Sequence, residues 1–338
     1  MKLLKLPFLC QKEVFNEMHF STRYTFTFGT RRMKIWAKRL QNSSGSAELQ
    51  VEIGNVGVNV AFLVKSDDRV EKILDLARRE LDPDETRVMK FSDLELECEI
   101  SFSPNILLKY DNPLPPTTRI LDSLCDFFNT TKEDIVYILN RLFTLHHLPP
   151  IPIQKSLLRL GYWRRNFEYM DQFYSSYPVQ HFSMISAEDD FLGVVPDDFH
   201  MLRTRNLILS NIGRVNISVL TGFQGENAVF SGGFIETSTI HDFLENWMNR
   251  DADELKTIIV EVTDPIQDND IFARIPHIKE EESVRYPYNS IIQDYYDFPE
   301  DAFDCTNTYN ITRHAGSPWE KKGTVKLTSN FFMFLVWD

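Results

Sequence analysis

The sequence predicts an α+β (α/β-type) chain in two parts. A small helical module occupies residues 1–45, and a larger mixed strand–helix body follows at 46–338. Three observations carry this reading. Apolar residues in the opening stretch recur at steps of three and four, as on one face of a helix. The remainder alternates between strand-like and helix-like patterns. In the second half, strands and a helix form a strand–helix–strand unit, with neighbouring strands starting about 22 to 28 residues apart, within the range of solenoid repeats. No clear consensus repeat accompanies that spacing, so a degenerate sheet of the leucine-rich type is one form open to the body. A 338-residue chain with 43% hydrophobic residues can bury roughly 75% of its extended-chain surface, and 25% charged residues is ordinary for a globular protein.

The chain opens MKLLKLPFLCQKEVFNEM. Lys5 and Pro7 interrupt the apolar run, and Gln11, Lys12 and Glu13 follow it without a small-residue cleavage site, so it does not read as a secretory signal. It is also too short and too charged to span a bilayer. A helix fits better: Leu6, Leu9, Cys10, Val14 and Met18 share one face, and Pro7 suits a first helical turn. Gly29, Thr25 and Thr27 then work against a continuous second helix, the glycine alone costing about 1 kcal/mol relative to alanine.

QNSSGS at 41–46 reads as a polar link, and ELQVEI and VNVAFLV as two strands. In DDRVEKILDLARREL, Val70, Ile73, Leu74, Ala77 and Leu81 fit helical spacing behind an acidic start, which predicts a helix. LELECEISF alternates as a strand, and ILDSLCDFF is a helix entered through NPLPPTTR. TTKEDIVYILNRLF has a threonine cap and an acidic first turn, which predicts another helix. LHHLPPIPIQ at 145–154 is proline-rich and marks a loop or hinge. Further on, RNLILSN, NAVFSG and ELKTIIVEV read as strands. STIHDFLENWMN reads as a helix capped by Ser238 or Thr239, with Ile240, Phe243, Leu244 and Trp247 on its apolar face. The final FFMFLVW is apolar on both faces, as in a strand at the middle of a covered sheet, so its truncation should be badly tolerated.

Charge is distributed unevenly. The first 40 residues hold nine basic groups against Glu13 and Glu17, a formal +7, which leaves −20 for the rest of a chain whose net charge is −13. An acidic body repels phosphate backbones, which argues against nucleic acid as a partner, and no stretch is long and apolar enough to suggest a membrane partner. The basic module suits an acidic protein surface. The four cysteines, Cys10, Cys98, Cys125 and Cys305, lie far apart with no C-x-x-C pair, so neither a zinc site nor a disulfide framework is expected. Reduced thiols in the cytosol or nucleus fit that usage, and the sequons at Asn42, Asn129, Asn216 and Asn310 then read as chance. His146 and His147 with Asp189, Asp190, Asp197 and Asp198 are the nearest approach to a catalytic or metal constellation, but adjacent loop histidines do not supply converging ligands. No phosphate-binding loop, nucleophile elbow or H-E-x-x-H motif occurs. No cofactor, metal or catalytic residue is expected.

Two regions resemble a known family. LLKLPFLCQKEVFNEM followed by TFTFGTRRMKIWAKRL looks like an F-box, a small helical module opening with a Leu-Pro pair. ILSNIGRVNISVL through NAVFSGGFIETSTIHDFLENWMNRDADELKTIIVEV resembles the type 2 F-box-associated domain of the large nematode F-box family, with a core at about 200–265. Its helix of the form x-F-L-x-x-W, then a leucine leading into a strand, maps onto Phe243, Leu244, Trp247 and Leu255. The ending YNITRHAGSPWEKKGTVKL to FFMFLVW resembles that family's closing strands. The resemblance implies a substrate receptor of a Skp–cullin–F-box ubiquitin ligase, intracellular and without chemistry of its own. In it, Leu3, Leu4, Leu6, Pro7, Leu9, Val14 and Met18 would belong to the adaptor-binding or F-box core set. The body would select a protein target whose identity the sequence does not name. The altered second helix leaves an interaction scaffold without ligase coupling as the alternative, and a hydrolase built on the histidines and aspartates as a third.

Overall fold

The computed structural model describes residues 3–42, 47–54, 59–66, 69–77, 86–91, 94–100, 106–109, 114–140, 148, 152–161, 163–178, 180–188, 199–249, 254–263, 266, 271–272, 275–314, 317 and 320–337. It is mixed α+β, and the chain divides into two compact units, Met1–Leu157 and Leu158–Asp338. Of the proline-rich stretch 145–154, only Leu148 and 152–154 are among the described residues.

The first unit begins with α1 (Phe8–Asn16), α2 (Phe20–Thr25) and α3 (Arg31–Gln41). Pro7 caps α1 from just outside rather than occupying its first turn. The expected penalty of Gly29 is avoided because the chain breaks there. A 3-10 turn at Phe26–Phe28 ends at Gly29, and Thr30 starts α3 afresh by accepting a hydrogen bond from the Met33 N–H at 3.4 Å. The helices are followed by β1 (Glu48–Ile53), β2 (Asn59–Ser66), β3 (Arg69–Ala77), β4 (Thr86–Phe91), β5 (Leu94–Ile100), β6 (Ile106–Lys109), α4 (Leu114–Phe128) and β7 (Val136–Asn140). The sheet runs β7-β1-β2-β3-β6-β5-β4. The β7–β1 and β3–β6 pairs are parallel and the others antiparallel.

Two predicted helices are strands instead. The described part of DDRVEKILDLARREL is β3, antiparallel to β2, with a bulge between Phe62 and Leu63 that leaves Ile73 unpaired between Lys72 and Leu74. A bulge slips the two-residue alternation by one position. Val70, Ile73 and Leu74 then fall at i, i+3 and i+4, which mimics a helix. The mimicry shows at Val70, which is 55% exposed while Ile73, Leu74 and Leu76 are buried. In TTKEDIVYILNRLF, the threonine and acidic signals are used up by one 3-10 turn, Lys132–Asp134, where the Thr131 hydroxyl bonds Asp134 at 2.7 Å. The continuous apolar run Ile135–Leu139 is wholly buried, as a strand covered on both faces requires.

The second unit contains β8 (Lys155–Leu160, which starts just before the division), α5 (Trp163–Ser176), β9 (Phe182–Ala187), β10 (Asn206–Val215), α6 (Ile217–Gly222), β11 (Asn227–Ile235), α7 (Thr237–Asn249), β12 (Thr257–Val262), β13 (Ile278–Glu280), β14 (Thr308–Arg313), β15 (Lys321–Leu327) and β16 (Phe331–Val336). Its strand order is β13-β14-β15-β16-β12-β11-β10-β9-β8. Strands β9 to β12 are parallel neighbours in sequence order, and the C-terminal strands add antiparallel ones. β16 lies between β15 and β12 with Phe332 and Phe334 fully buried, so the last strand is interior as expected. The α7 helix starts before its expected caps, which puts Ser238 and Thr239 inside the first turn.

A buried polar ladder aligns the parallel strands. Asn206, Asn227 and Thr257 stand in register at the strand starts. The Asn227 amide donates to Asn206 at 2.8 Å and the Thr257 hydroxyl to Asn227 at 2.9 Å. Each polar side chain thus gains the partner that burial demands. Farther along, bulges in β10 and β11 stack on each other. Gly232 has φ +67°, and a Cβ there would approach Asn211 Oδ1 to 2.7 Å, so glycine is required.

An irregular strap, residues 284–305, covers one face of these strands. The Tyr286 hydroxyl donates to the Val336 carbonyl at 2.9 Å and the Ser290 hydroxyl to Asn206 at 3.0 Å. The Tyr295 ring stacks on Phe182 at 4.4 Å, and the Tyr296 hydroxyl donates to Glu261 at 2.7 Å.

Candidate protein-docking surface

The N-terminal helices bury a face that the apolar stripe did not mark. Phe15 is fully buried and meets Trp36 edge-on at 5.6 Å. The Trp36 indole N–H donates to Gln11 at 2.6 Å, and the Gln11 amide donates to the Leu6 carbonyl at 2.6 Å. Arg23 then ties the end of α1 to α2. Its guanidinium donates to the carbonyls of Met18 at 2.9 Å and Asn16 at 2.5 Å and lies over the Phe20 ring at 4.3 Å. Burial lowers the Arg23 pKa from its usual value, while Glu71 and Glu17 oppose the shift.

The module is anchored to the rest of its unit in three places. Glu71 of β3 accepts from the Phe20 N–H at 2.8 Å, satisfying an otherwise orphaned donor at the start of α2. The buried Tyr24 hydroxyl donates to Ser123 of α4 at 2.8 Å, and Lys38 pairs with Asp126. Burial raises the Tyr24 pKa, and burial likewise pushes the Cys125 thiol up to about 11, so that thiol stays protonated at neutral pH.

With this rear face fixed, the stripe read from the sequence faces water. Leu9 is 72% exposed, Leu6 43% and Val14 40%, with Pro7 and Cys10 exposed beside them. Leu4 and Met18 are half-buried, and Met18 lines a polar cleft of about 420 Å³ with His19, Arg69 and Glu71. Leu3 belongs to a 3-10 turn, and its side chain lies outside the described residues. Two further apolar groups, Phe8 at 38% and Ile35 at 60%, were missed by the periodicity. Arg39 connects them: its guanidinium lies 4.6 Å from the Phe8 ring, one helical turn beyond Ile35. The start of α3 carries Arg31 and Arg32 and no acid, an arrangement that the helix dipole disfavours by roughly 0.3–1 kcal/mol per charge. Helix stability therefore does not account for that basic border.

The second set of sequence-identified residues is core. Phe243, Leu244, Trp247 and Leu255 are at most 4% exposed. Trp247 packs edge-on against Phe334 at 4.9 Å beneath the Arg313 guanidinium. Phe243, Leu244 and Trp247 form the buried face of α7, Leu255 is buried just ahead of β12, and none of the four offers a surface. His146, His147, Asp189, Asp190, Asp197 and Asp198 lie outside the described residues. Among the described residues, His241, Asp242 and Glu245 of α7 bring ligating atoms within 4.8 Å of one another on a largely exposed face.

Comparison with protein-family models, with curated proteins and with solved structures finds no match to this chain. Among the described residues, no helix is long and apolar enough to cross a membrane.

Proposed function

We propose that this chain is the substrate-recognition subunit of a Skp–cullin–F-box ubiquitin ligase, acting in the cytoplasm or nucleus by binding alone. On this reading α1 to α3 are the F-box, and the Leu6–Leu9–Val14 ridge docks on a Skp-type adaptor that recruits the cullin. The strand–helix remainder, with its parallel strands as a degenerate leucine-rich-type sheet, selects the protein target. The observation that carries the proposal is the ridge itself. Leu9 and Val14 stay in water on α1, with Leu6 exposed just ahead of it, while the opposite side of that helix is locked by Phe15, Trp36, Gln11 and Arg23. Apolar side chains grouped in this way on a surface mark a site for a partner. The +7 of residues 1–40 would steer the module toward an acidic adaptor.

The break at Phe26–Gly29 favours the second reading, a scaffold whose helical module no longer couples to a ligase. Co-purification of the full-length chain with a Skp-type adaptor separates the two. Capture that disappears with Leu6→Asp or Pro7→Ala/Leu9→Asp supports the ligase reading. Target binding without adaptor binding supports the scaffold.

A further inference from the structure

The joint between the N-terminal helices and the sheet of the first unit gathers charges of both signs that do not meet. A cleft of about 420 Å³ opens there, between the end of α1, the start of α2 and the paired ends of β2 and β3. Arg23, Arg69, Glu17 and Glu71 line it, with His19 and Ser66 beside them. Arg23 lies inside, only 7% exposed, while Arg69 and Glu17 are exposed. Arg69 and Glu71 stand two residues apart on β3, so they share one face of the strand. It is the face on which Glu71 accepts the Phe20 N–H at 2.8 Å.

Arginines and carboxylates lining one cleft ordinarily close on each other as charge-assisted pairs. Here other bonds hold them apart. The Arg23 Nε and Nη2 atoms are committed to the carbonyls of Met18 and Asn16, and the Phe20 ring fixes the guanidinium plane. The third nitrogen, Nη1, bonds nothing among the described residues. Glu71 is occupied by the Phe20 N–H and lies 3.5 Å from His19 Nδ1. Neither Arg69 nor Glu17 forms an ion pair among the described residues.

Two physical demands follow. A cation more than nine-tenths buried, with one donor unspent and no carboxylate against it, is costly until an acceptor reaches it. The formal charges of the two arginines and two glutamates cancel. A bare anion would therefore leave the cleft negative and a bare cation would leave it positive, whereas a molecule carrying one charge of each sign preserves the balance. The volume suits a small organic molecule.

We infer that this cleft binds a small zwitterion, a phosphate or carboxylate joined by a short chain to an ammonium group. The oxyanion would accept from Arg23 Nη1 and the Arg69 guanidinium, and the ammonium would lie against Glu17 and Glu71. The inference asks nothing of the adaptor reading and stands or falls without it.

The test is a calorimetric titration of the full-length chain with O-phosphoethanolamine and with 4-aminobutyrate, which carry the two kinds of oxyanion. Inorganic phosphate and ethanolamine, each one half of such a ligand, are titrated beside them. At least one zwitterion should bind with a Kd of roughly 0.1–1 mM, about tenfold or more tighter than either half, and the one that binds identifies the oxyanion. Arg69→Gln should weaken that binding roughly tenfold or more. Arg32→Gln, an equal charge change outside the cleft, should leave it within about twofold. Glu17→Gln should weaken the zwitterion about 3- to 10-fold while leaving inorganic phosphate unchanged or tighter, a split that damage to the fold would not produce. Arg23→Lys, which keeps the charge and loses the fork, should weaken binding in the same direction. If that variant melts early, the exposed positions Arg69 and Glu17 carry the test alone. No heat from either zwitterion at about 10 mM, equal affinity for zwitterion and inorganic phosphate, or undiminished binding by Arg69→Gln would overturn the inference.

Discussion

Leu9→Asp separates docking from folding at a single position. Leu9 is the second residue of α1 and 72% exposed, so little of its side chain contributes to the fold. Aspartate is a poorer helix former than leucine by roughly half a kcal/mol. It also places a negative charge in a first turn that holds no acid, worth about 0.3–1 kcal/mol in the opposite direction. The two effects nearly cancel, and the unfolding free energy should stay within about 0.5 kcal/mol of wild type. Binding should behave differently. Full burial of a leucine is worth about 1.5–3 kcal/mol, and the exposed 72% leaves roughly 1–2 kcal/mol to be gained at an interface. Removing the side chain should therefore weaken adaptor binding about 5- to 30-fold, and burying an unpaired carboxylate should weaken it further. Urea denaturation and surface plasmon resonance on the same sample give both numbers. A variant that folds normally and binds the adaptor as tightly as wild type would refute the reasoning, because Leu9 would then lie off the interface.

Other positions test the framework. Phe15→Ala, on the buried side of the same helix, should cost about 3–5 kcal/mol in urea unfolding and take adaptor binding down with the fold. Gly323→Ala should cost about 1–3 kcal/mol in thermal melts, because a Cβ there would reach the Phe334 ring at 2.7 Å and Trp247 at 3.1 Å. Glu226 is driven upward by burial, but hydrogen bonds and charge from Arg205 and Lys256 outweigh this and hold its pKa below the ordinary 4.5. A depressed carboxylate stabilises the fold above its unfolded pKa, and that contribution disappears as pH falls through the folded value. Glu226→Gln should therefore destabilise at pH 7, with the difference shrinking well below pH 4.5. Urea titrations at neutral and acid pH measure it.

Much of the fold was legible where local pattern and tertiary role agree. ELQVEI, RNLILSN, NAVFSG and TIIVEV are strands, and the helix bearing Phe243, Leu244 and Trp247 packs on the sheet through that face. The failures have physical causes. The β3 bulge imitated helical spacing, and a single 3-10 turn absorbed the capping signals ahead of β7. The apolar stripe of α1 was visible, but periodicity reports only that a face is apolar and not what covers it. Phe15, flanked by polar Asn16, is what fixes the inner side. The strap left no signal at all, because its rings are positioned by contacts with Phe182 and Glu261, both distant in sequence.

The most direct measurement is a calorimetric titration of the folded, full-length chain with a purified Skp-type adaptor. One-to-one binding at micromolar affinity or tighter is expected, weakening as salt screens the basic border of α3. No heat and no complex, from a chain whose melting curve shows it folded, would mean that the Leu6–Leu9–Val14 ridge serves something other than an adaptor.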